Sequence, residues 1–323
     1  MRDRPFISII IPVEKGTQLP LSLFRNLKYP SSRFEIIVVE GDHPSFQRNK
    51  AVEKAEGEIL CFLDKDSRPS SDYLEEVARS FNSEEGHIPG AVGGPAIPVS
   101  SSYWMSILFS RILTSFFPLL WMRSRYKRRG KIRVSDEKEL IGCNLCVRKD
   151  VFQKTGGFNE LLYPNEENEF LNRIKRKGYR ILYNPNLKVY RRIEGGLKKF
   201  LCRFYRYGKG RGNEIRVEGL GPNLLYLLPL FFLLYVFSLF FFHPWWYLFP
   251  LYLYILLGGF SALFYSWKDR KIYLLLLFPL SFLVHFIYAL GMIKGLIANR
   301  NSSPKTWEVQ IRKIKKFSDE ITF

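Results

Sequence analysis

The stretch Glu58-Ile59-Leu60-Cys61-Phe62-Leu63-Asp64-Lys65-Asp66 is an apolar strand that ends in two carboxylates. A turn containing Ser67, Arg68 and Pro69 follows it. Two carboxylates two residues apart at a strand end can hold one hard divalent cation, and that cation would neutralise a diphosphate. The alternative is a solvated acidic turn, because the same short pattern also arises by chance in surface loops.

Strands and helices alternate on both sides of this stretch. Residues 6–11 form an apolar run closed by Pro12, and residues 34–39 form a second run. Long apolar runs of this kind are typical of parallel strands that are buried on both faces. The helices predicted between the strands cover residues 17–28, residues 44–57 and a segment that begins at Ser71. The alternation indicates an α/β sheet with right-handed crossovers.

Four acidic residues follow the ends of these strands: Glu40, Asp42, Asp64 and Asp66. In open α/β sheets, ligands bind outside the carboxyl ends of the strands. The convergence of four acids at that edge favours a metal–diphosphate site over a solvated turn.

The net charge of the 323-residue chain is +19, which requires an anionic partner or surface. The candidates are nucleic acid and the anionic cytoplasmic leaflet of a membrane. The basic residues lie beside apolar segments, and no nucleic-acid-binding module is recognisable, so we expect anionic membrane lipids and no nucleic acid. Cys143 and Cys146 form a C-x-x-C pair, but no second pair follows at zinc-ribbon spacing, so both are predicted to pack in the core.

Three hydrophobic segments, at about 223–242, 246–266 and 272–293, are each long enough to cross a bilayer. An earlier apolar segment, 103–122, is predicted to lie in the membrane interface instead. If segment 103–122 crossed the membrane, it would separate Asp64 and Asp66 from a second acidic cluster that lies further along the chain.

The predicted organisation has three parts. A cytoplasmic domain covers residues 1–215 and includes the interfacial helix 103–122. A membrane region of about three helices covers 216–297, and a basic tail covers 298–323. Residues 1–5 lead into a strand without the apolar run of a secretory signal, so we expect a multi-pass protein of the cell membrane with its first domain in the cytoplasm.

The topology of the third hydrophobic segment stays open at this point. The basic loop 268–271 and the basic tail both belong in the cytoplasm by the positive-inside rule. Three crossings would place the tail on the opposite side, so the third segment is either re-entrant or partly interfacial.

A second acidic cluster lies within residues 140–190. Residues 140–148 are predicted as a strand and residues 151–160 as a short helix that ends on glycine, and Glu166-Glu167 then opens another helix. Carboxylates at a helix N-terminus are stabilised by the helix dipole, so capping alone would account for this pair.

The order of these segments resembles the family 2 glycosyltransferases, which have the GT-A (nucleotide-diphospho-sugar transferase, Rossmann-like) fold. The resemblance covers roughly residues 6–195. The segments that carry it are Ile7-Ser8-Ile9-Ile10-Ile11-Pro12-Val13, Phe34-Glu35-Ile36-Ile37-Val38-Val39-Glu40, Gln47-Arg48-Asn49-Lys50-Ala51 with Gly57-Glu58-Ile59-Leu60, Phe62-Leu63-Asp64-Lys65-Asp66, Gly156-Gly157-Phe158-Asn159-Glu160 with Glu166-Glu167, and Gly178-Tyr179-Arg180-Ile181.

The resemblance implies a role for each site residue. Asp64 and Asp66 would hold the diphosphate of a nucleotide-sugar donor through Mg²⁺ or Mn²⁺. Glu167 would be the catalytic base, with Glu166 as the second candidate. Glu40 would contact the base or ribose, and the other donor-binding residues would be Pro12, Asp42 and Arg48.

Three departures from the family pattern bear on specificity. The usual D-D-G-S after the second strand is here Glu40-Gly41-Asp42-His43-Pro44-Ser45, so the nucleotide base is undefined. The usual E-D pair ends in Glu167, which is one methylene longer. The Q-x-x-R-W motif of processive polymerases is absent, which favours the transfer of a single sugar.

Arginines cluster shortly before the first hydrophobic segment. Arg191, Arg203 and Arg206 lie in stretches that are similar to those of a membrane-bound polysaccharide branch including the succinoglycan-type transferases. Because guanidinium groups fit phosphate bidentately, these arginines are predicted to bind the donor diphosphate or the pyrophosphate of a lipid-linked acceptor. The alternative is a juxtamembrane basic belt that is attracted to lipid.

The resulting expectation is a membrane-anchored, inverting, metal-dependent glycosyltransferase of the hexosyltransferase type. It would move one sugar from a nucleotide-sugar donor to a polyprenyl-diphosphate-linked glycan in cell-surface polysaccharide synthesis. One alternative is a polyprenyl-phosphate sugar synthase, whose nucleophile is already an anion. An alternative from another class is a non-enzymatic basic protein that binds membrane surfaces or nucleic acid.

Overall fold

The computed structural model describes residues 4–82, 88–193, 195–219, 224–298 and 307–314. The chain forms two compact units. The first contains Met1–Ile97, Ser124–Arg191 and Ser303–Phe323, and the second contains Pro98–Arg123 and Arg192–Ser302. The first unit therefore includes a segment that follows the hydrophobic region in the sequence.

The first unit is built on an eight-stranded mixed sheet. The strands of the protein are β1 (Ile7–Val13), β2 (Phe34–Glu40), β3 (Ile59–Leu63), β4 (Arg68–Pro69), β5 (Ala91–Gly93), β6 (Ala96–Val99), β7 (Arg133–Val134), β8 (Asn144–Arg148), β9 (Ile181–Tyr183), β10 (Val189–Arg192) and β11 (Gln310–Ile314). The order in the large sheet is β11-β2-β1-β3-β8-β5-β9-β7, and a small sheet has the order β4-β10-β6.

The predicted parallel core is present. Strand β1 pairs in parallel with β2, from Ile7 opposite Phe34 to Val13 opposite Glu40, and it also pairs in parallel with β3. Every residue of these three strands is buried, because layers cover both faces of the sheet. The carboxyl ends of the three strands consequently meet at one edge.

The buried cysteines confirm the prediction of core packing. Strand β8 runs antiparallel to β3 and places Cys146 opposite Cys61. Cys61, Cys143 and Cys146 are free thiols within the core. Burial raises the pKa of Cys143 to about 11, so its thiol stays protonated and unreactive near neutral pH.

Ten α-helices lie in the described part of the chain: α1 (Pro44–Lys54), α2 (Tyr73–Phe81), α3 (Trp104–Thr114), α4 (Phe116–Leu119), α5 (Lys149–Thr155), α6 (Glu166–Arg176), α7 (Leu197–Glu218), α8 (Leu228–Ser238), α9 (Phe249–Asp269) and α10 (Leu277–Ile297). The predicted helix over residues 17–28 is wrong, since only a 3₁₀ turn at Leu21–Phe24 forms there. Pro20 disfavours helical geometry in the residue before it, which breaks the predicted helix.

The second unit contains the apolar helices. The segment 103–122 breaks at Ser115 into α3 and α4, and each of these helices is too short to cross a bilayer. Among the described residues, two helices are long and apolar enough to do so, namely Trp245–Asp269 and Ile272–Ile297. The segment before them forms the shorter apolar helix Leu224–Ser238. Large apolar side chains such as Leu256, Phe260 and Leu263 are exposed, as they are on lipid-facing helices.

Helices α7 and α10 approach each other closely through glycines. Gly208 and Gly212 of α7 face Gly291 and Gly295 of α10. A Cβ atom on Gly212 would lie 2.3 Å from the carbonyl oxygen of Met292, so no larger residue fits there. This is the small-xxx-small packing seen between membrane helices, and here it fixes the basic helix α7 to an apolar one.

Candidate active site

Asp64 and Asp66, at the end of β3, converge on the guanidinium of Arg191 from β10. The Nη2 atom of Arg191 donates to both carboxylate oxygens of Asp66, at 2.6 and 2.8 Å. Its Nη1 atom lies 3.4 Å from Oδ2 of Asp64. The turn is closed by the backbone N–H of Asp64, which donates to Oγ of Ser67. Both carboxylates therefore surround one positive charge.

The same two carboxylates fit a hard divalent cation. Their side chains are 32 % and 43 % exposed, so a metal–diphosphate could reach them from solvent. Within the described residues, no group of three or more His, Cys, Asp or Glu side chains is arranged to hold a metal. Two oxygen ligands from the protein suit Mg²⁺, which usually completes its coordination with water and substrate phosphates.

Arg48 joins the two acidic clusters that the sequence separates. It lies on α1, and its side chain is 5 % exposed. Nη2 donates to Asp64 Oδ1 at 3.1 Å, and Nη1 donates to Oε1 of Glu166 at the start of α6. The turn after β3 and the first turn of α6 therefore belong to one site.

Glu166 and Glu167 have different environments. Glu166 is only 3 % exposed. Burial raises the pKa of Glu166 to about 7; the Arg48 guanidinium opposes that rise and Glu167 adds to it. Because Glu166 is buried and bonded to Arg48, it is poorly placed to meet an acceptor. Glu167 is half-buried and is the member of the pair with access to solvent.

Glu167 lies against Gly142, a contact that the sequence analysis did not identify. A Cβ atom on Gly142 would lie 3.3 to 3.4 Å from Cβ, Cγ and Cδ of Glu167. The next residue, Cys143, accepts a hydrogen bond from Oγ of Ser67 at 3.2 Å. The segment 142–143 therefore contacts both Glu167 and the Asp64–Ser67 turn. A glycine at the start of an apolar strand was the available signal, since it often marks a close approach.

Asn49 fixes the loop that leads to the glutamate pair. Its Nδ2 atom donates to the carbonyl of Phe158 and to Glu160, and its Oδ1 atom accepts from the N–H of Phe158. Gly157 has φ +69°, and a Cβ atom there would lie 2.8 Å from Asn49 Oδ1. Arg48 and Asn49 therefore connect α1 to both ends of the 157–166 segment.

The predicted donor residues at the ends of β1 and β2 have mixed environments. Pro12 is buried opposite Val39 in the sheet. Glu40 is 7 % exposed and accepts from the N–H of Gly16 at 3.4 Å. Asp42 is exposed, and its Oδ2 atom lies 4.0 Å from Nζ of Lys15. The sheet brings Pro12 and Glu40 to one edge, and the donor-binding role of all three residues stays a prediction.

The predicted phosphate-binding arginines fall into two groups. Arg191 contacts the site carboxylates directly. Arg203 and Arg206 lie on α7 in the second unit, where Arg203 is half-buried and Arg206 is exposed. Their role in binding phosphate therefore stays a prediction.

The basic stretch 123–133 is partly structural. Arg125 is buried and donates to the carbonyl of Lys138 and to Asn168. Arg133 pairs with Glu139 and lies over the ring of Tyr183. Both guanidinium groups are engaged within the first unit.

Part of the basic tail forms strand β11, which the sequence analysis missed. β11 pairs antiparallel with β2, from Gln310 opposite Glu40 to Ile314 opposite Ile36. The alternation of Val309 and Ile311 with polar neighbours was its signal. The tail lysines and arginine outside the described residues are Arg300, Lys305, Lys315 and Lys316.

Comparison with known proteins identifies the family. The family model described as glycosyl transferase family group 2 matches residues 59–293. The chain is 22 % identical, over 92 % of its length and 99 % of the relative's, to a dolichyl N-acetyl-alpha-D-glucosaminyl phosphate 3-beta-D-2,3-diacetamido-2,3-dideoxy-beta-D-glucuronosyltransferase of Methanococcus voltae. It is 25 % identical to glycosyltransferase AglE of Haloferax volcanii, over 55 % of this chain and 64 % of that protein.

A solved structure has the same fold. It is the mannosyltransferase PcManGT from Pyrobaculum calidifontis in complex with GDP-Man and Mn2+, with a TM-score of 0.57 and 16 % identity, and the match covers 92 % of this chain and 88 % of that one. The predicted GT-A fold is confirmed, and the non-enzymatic alternative loses its support. The chain belongs to the glycosyl transferase family group 2.

Proposed function

We propose that this glycosyltransferase moves one sugar, with inversion, from a nucleotide-sugar donor to a glycan carried on a polyprenyl lipid of the dolichyl type. The observation that carries the proposal is Arg48, which joins Asp64 and Glu166 and so places Glu167 near the Asp64–Asp66 turn. The name of the Methanococcus voltae relative supports a lipid-linked sugar as the acceptor.

The donor end of the site would bind the diphosphate. Asp64 and Asp66 would hold Mg²⁺ or Mn²⁺, which offsets the charge that develops on the departing nucleotide diphosphate. Arg191 already contacts both carboxylates, so its guanidinium is positioned to donate to phosphate oxygens bound beside them. Arg48 would keep Asp64 oriented from the opposite, buried side.

The acceptor end of the site would use Glu167. Its carboxylate would take the proton from the acceptor hydroxyl as that oxygen attacks the sugar carbon. Attack on the face opposite the leaving group inverts the configuration at that carbon. The buried Arg48–Glu166 pair would hold the first turn of α6 in place while Glu167 reacts.

A donor-panel binding assay tests the proposal. The purified full-length chain in detergent is titrated calorimetrically with UDP-, GDP- and TDP-linked sugars in the presence of Mn²⁺. We expect saturable binding of at least one donor, and we expect EDTA to weaken it. If no donor binds at any concentration tested, the proposed function is wrong.

We propose a membrane topology on the basis of β11 and the charge distribution. Because β11 pairs with β2, the chain returns to the side of the membrane from which it left, so the number of crossings between them is even. The basic loop 268–271 belongs on the cytoplasmic side. We therefore propose that the whole apolar stretch 224–242, which extends beyond the helix Leu224–Ser238, crosses with α9 as a hairpin. On this proposal α10 makes no net crossing, although it is long enough to cross.

Cysteine labelling in intact cells tests this topology. Cys202 is the exposed native cysteine and is first changed to serine, while Cys61, Cys143 and Cys146 are buried. In that background, we expect Pro244→Cys to react with an impermeant maleimide from outside. Lys271→Cys should react only after permeabilisation. The reverse pattern would assign the two crossings to α9 and α10 instead.

A further inference from the structure

Strand β11 begins at the end of the sheet where the carboxyl ends of the parallel strands lie. Since β11 is antiparallel to β2, its first residue Gln310 lies opposite Glu40, the last residue of β2. In open α/β sheets, ligands bind outside these carboxyl ends. The residues at the start of β11 therefore lie beside the predicted nucleoside end of the donor site.

Arg312 on β11 holds the carboxylate of Glu40. Its Nη2 atom donates to Oε1 of Glu40, and Oε2 accepts the weaker bond from the Gly16 N–H. Each carboxylate oxygen has two lone pairs, so Glu40 keeps acceptor positions for a ligand hydroxyl or N–H. Arg312 therefore orients Glu40 without using all of its hydrogen-bonding capacity.

Trp307 and Val309 contact the loop that follows Glu40. The ring of Trp307 stacks on His43, with centroids 4.0 Å apart and planes 23° apart. Nδ1 of His43 accepts the N–H of Phe46 and so caps α1. A Cβ atom on Gly41 would lie 3.2 Å from Cγ1 of Val309. The segment 307–312 consequently contacts Glu40, Gly41 and His43.

Covering the sheet edge is the simpler explanation for β11, because unpaired edge strands promote aggregation. Lys313 fits that explanation, since it pairs with Glu35 and Glu56 rather than with Glu40 or His43. Arg312 and Trp307 instead contact Glu40 at the carboxyl end of β2 and His43 in the loop that follows it. Covering the sheet edge therefore does not account for the contacts of Arg312 and Trp307.

We propose that Arg312 and Trp307 are positioning residues of the nucleotide subsite. Through Glu40 and His43 they fix the loop that contacts the nucleoside of the donor. The loop, residues 40–45, is also where the sequence departs from the family pattern. The segment that follows the hydrophobic helices would in this way contribute to nucleotide recognition. The inference rests on the proposed function, because it requires a nucleotide donor.

The test compares Arg312→Ala and Trp307→Ala with Gln310→Ala in the whole chain. Binding of UDP, GDP and TDP with Mn²⁺ is measured by calorimetry, and donor KM and kcat are measured with the donor that the panel identifies. We expect the first two variants to weaken binding of the preferred nucleotide about tenfold and to raise KM while kcat stays unchanged. Gln310→Ala, a change at an exposed position of the same strand, should bind as the native chain does, and Arg312→Lys should recover part of the loss.

Four results would overturn the inference. The first is native-like binding by both Arg312→Ala and Trp307→Ala, and the second is an equal loss in Gln310→Ala, which would mean that any change to the strand weakens binding. The third is tighter binding by Arg312→Ala, which would show that Arg312 competes with the nucleotide for Glu40. The fourth is failure of the native chain to bind any donor of the panel, which would overturn the proposed function as well; the first three leave it standing.

Discussion

Replacing Glu167 with glutamine is expected to lower kcat for transfer to a hydroxyl acceptor by about 100- to 10,000-fold, the usual contribution of a general base. Glutamine has the same length and shape, so its packing against Gly142 is retained, but its amide cannot take a proton. Donor affinity should therefore stay unchanged. Single-turnover transfer and donor calorimetry on the same preparation separate the two effects.

Two further variants make this result specific. Glu53→Gln is the matched control, because Glu53 is exposed on α1 and pairs with Lys50 of the same helix. Glu166→Gln tests the second candidate base. A large kcat loss in Glu166→Gln with normal turnover in Glu167→Gln would exchange their roles. Full activity of Glu167→Gln on polyprenyl phosphate would favour the sugar-synthase alternative, in which the nucleophile needs no base.

Asp66→Asn is expected to weaken donor binding in the presence of Mn²⁺ by about tenfold or more, which corresponds to at least ~1.4 kcal/mol. The substitution removes one of two carboxylate ligands and also the charge that holds Arg191. The response of binding to added Mn²⁺ should shrink along with the affinity. Calorimetric titration of the donor with Mn²⁺ and with EDTA measures both quantities.

Asp150→Asn is the matched control for this experiment. Asp150 has a similar side-chain exposure of 40 % and pairs with Arg148 at 2.7 Å, but it lies at the start of α5. It should bind the donor as the native chain does. If Asp66→Asn kept native affinity and the same response to Mn²⁺, the two-carboxylate site would have to be abandoned.

Both substitutions act on a site that two arginines organise. The partly exposed Arg191 forms ion pairs with Asp64 and Asp66. The buried Arg48 forms ion pairs with Asp64 and Glu166. Removing one partner of a buried ion pair leaves an uncompensated charge and is strongly destabilising. The buried arginine is therefore as important to the site geometry as the carboxylates themselves.

The amino-acid sequence was sufficient to predict the core strands of the sheet and the acidic residues at their carboxyl ends. The runs that became β1, β2 and β3 are continuous in the chain and apolar throughout, and this local pattern is enough to indicate buried parallel strands. The position of Asp64 and Asp66 followed, because the end of a strand is also a local feature. The local pattern gave a wrong prediction at residues 17–28, where the leucine spacing indicated a helix that Pro20 prevents.

Only the tertiary structure determined which residues meet at the site. The Arg48 contacts with Asp64 and Glu166, the packing of Glu167 on Gly142, and the pairing of β11 with β2 join residues far apart in the chain. No local periodicity encodes such contacts, since they depend on which segments the sheet brings together and on which buried charges require partners. The basic tail illustrates the point: its composition indicated only the cytoplasmic side of the membrane, whereas hydrogen bonding at the open edge of β2 made part of it a strand of the large sheet.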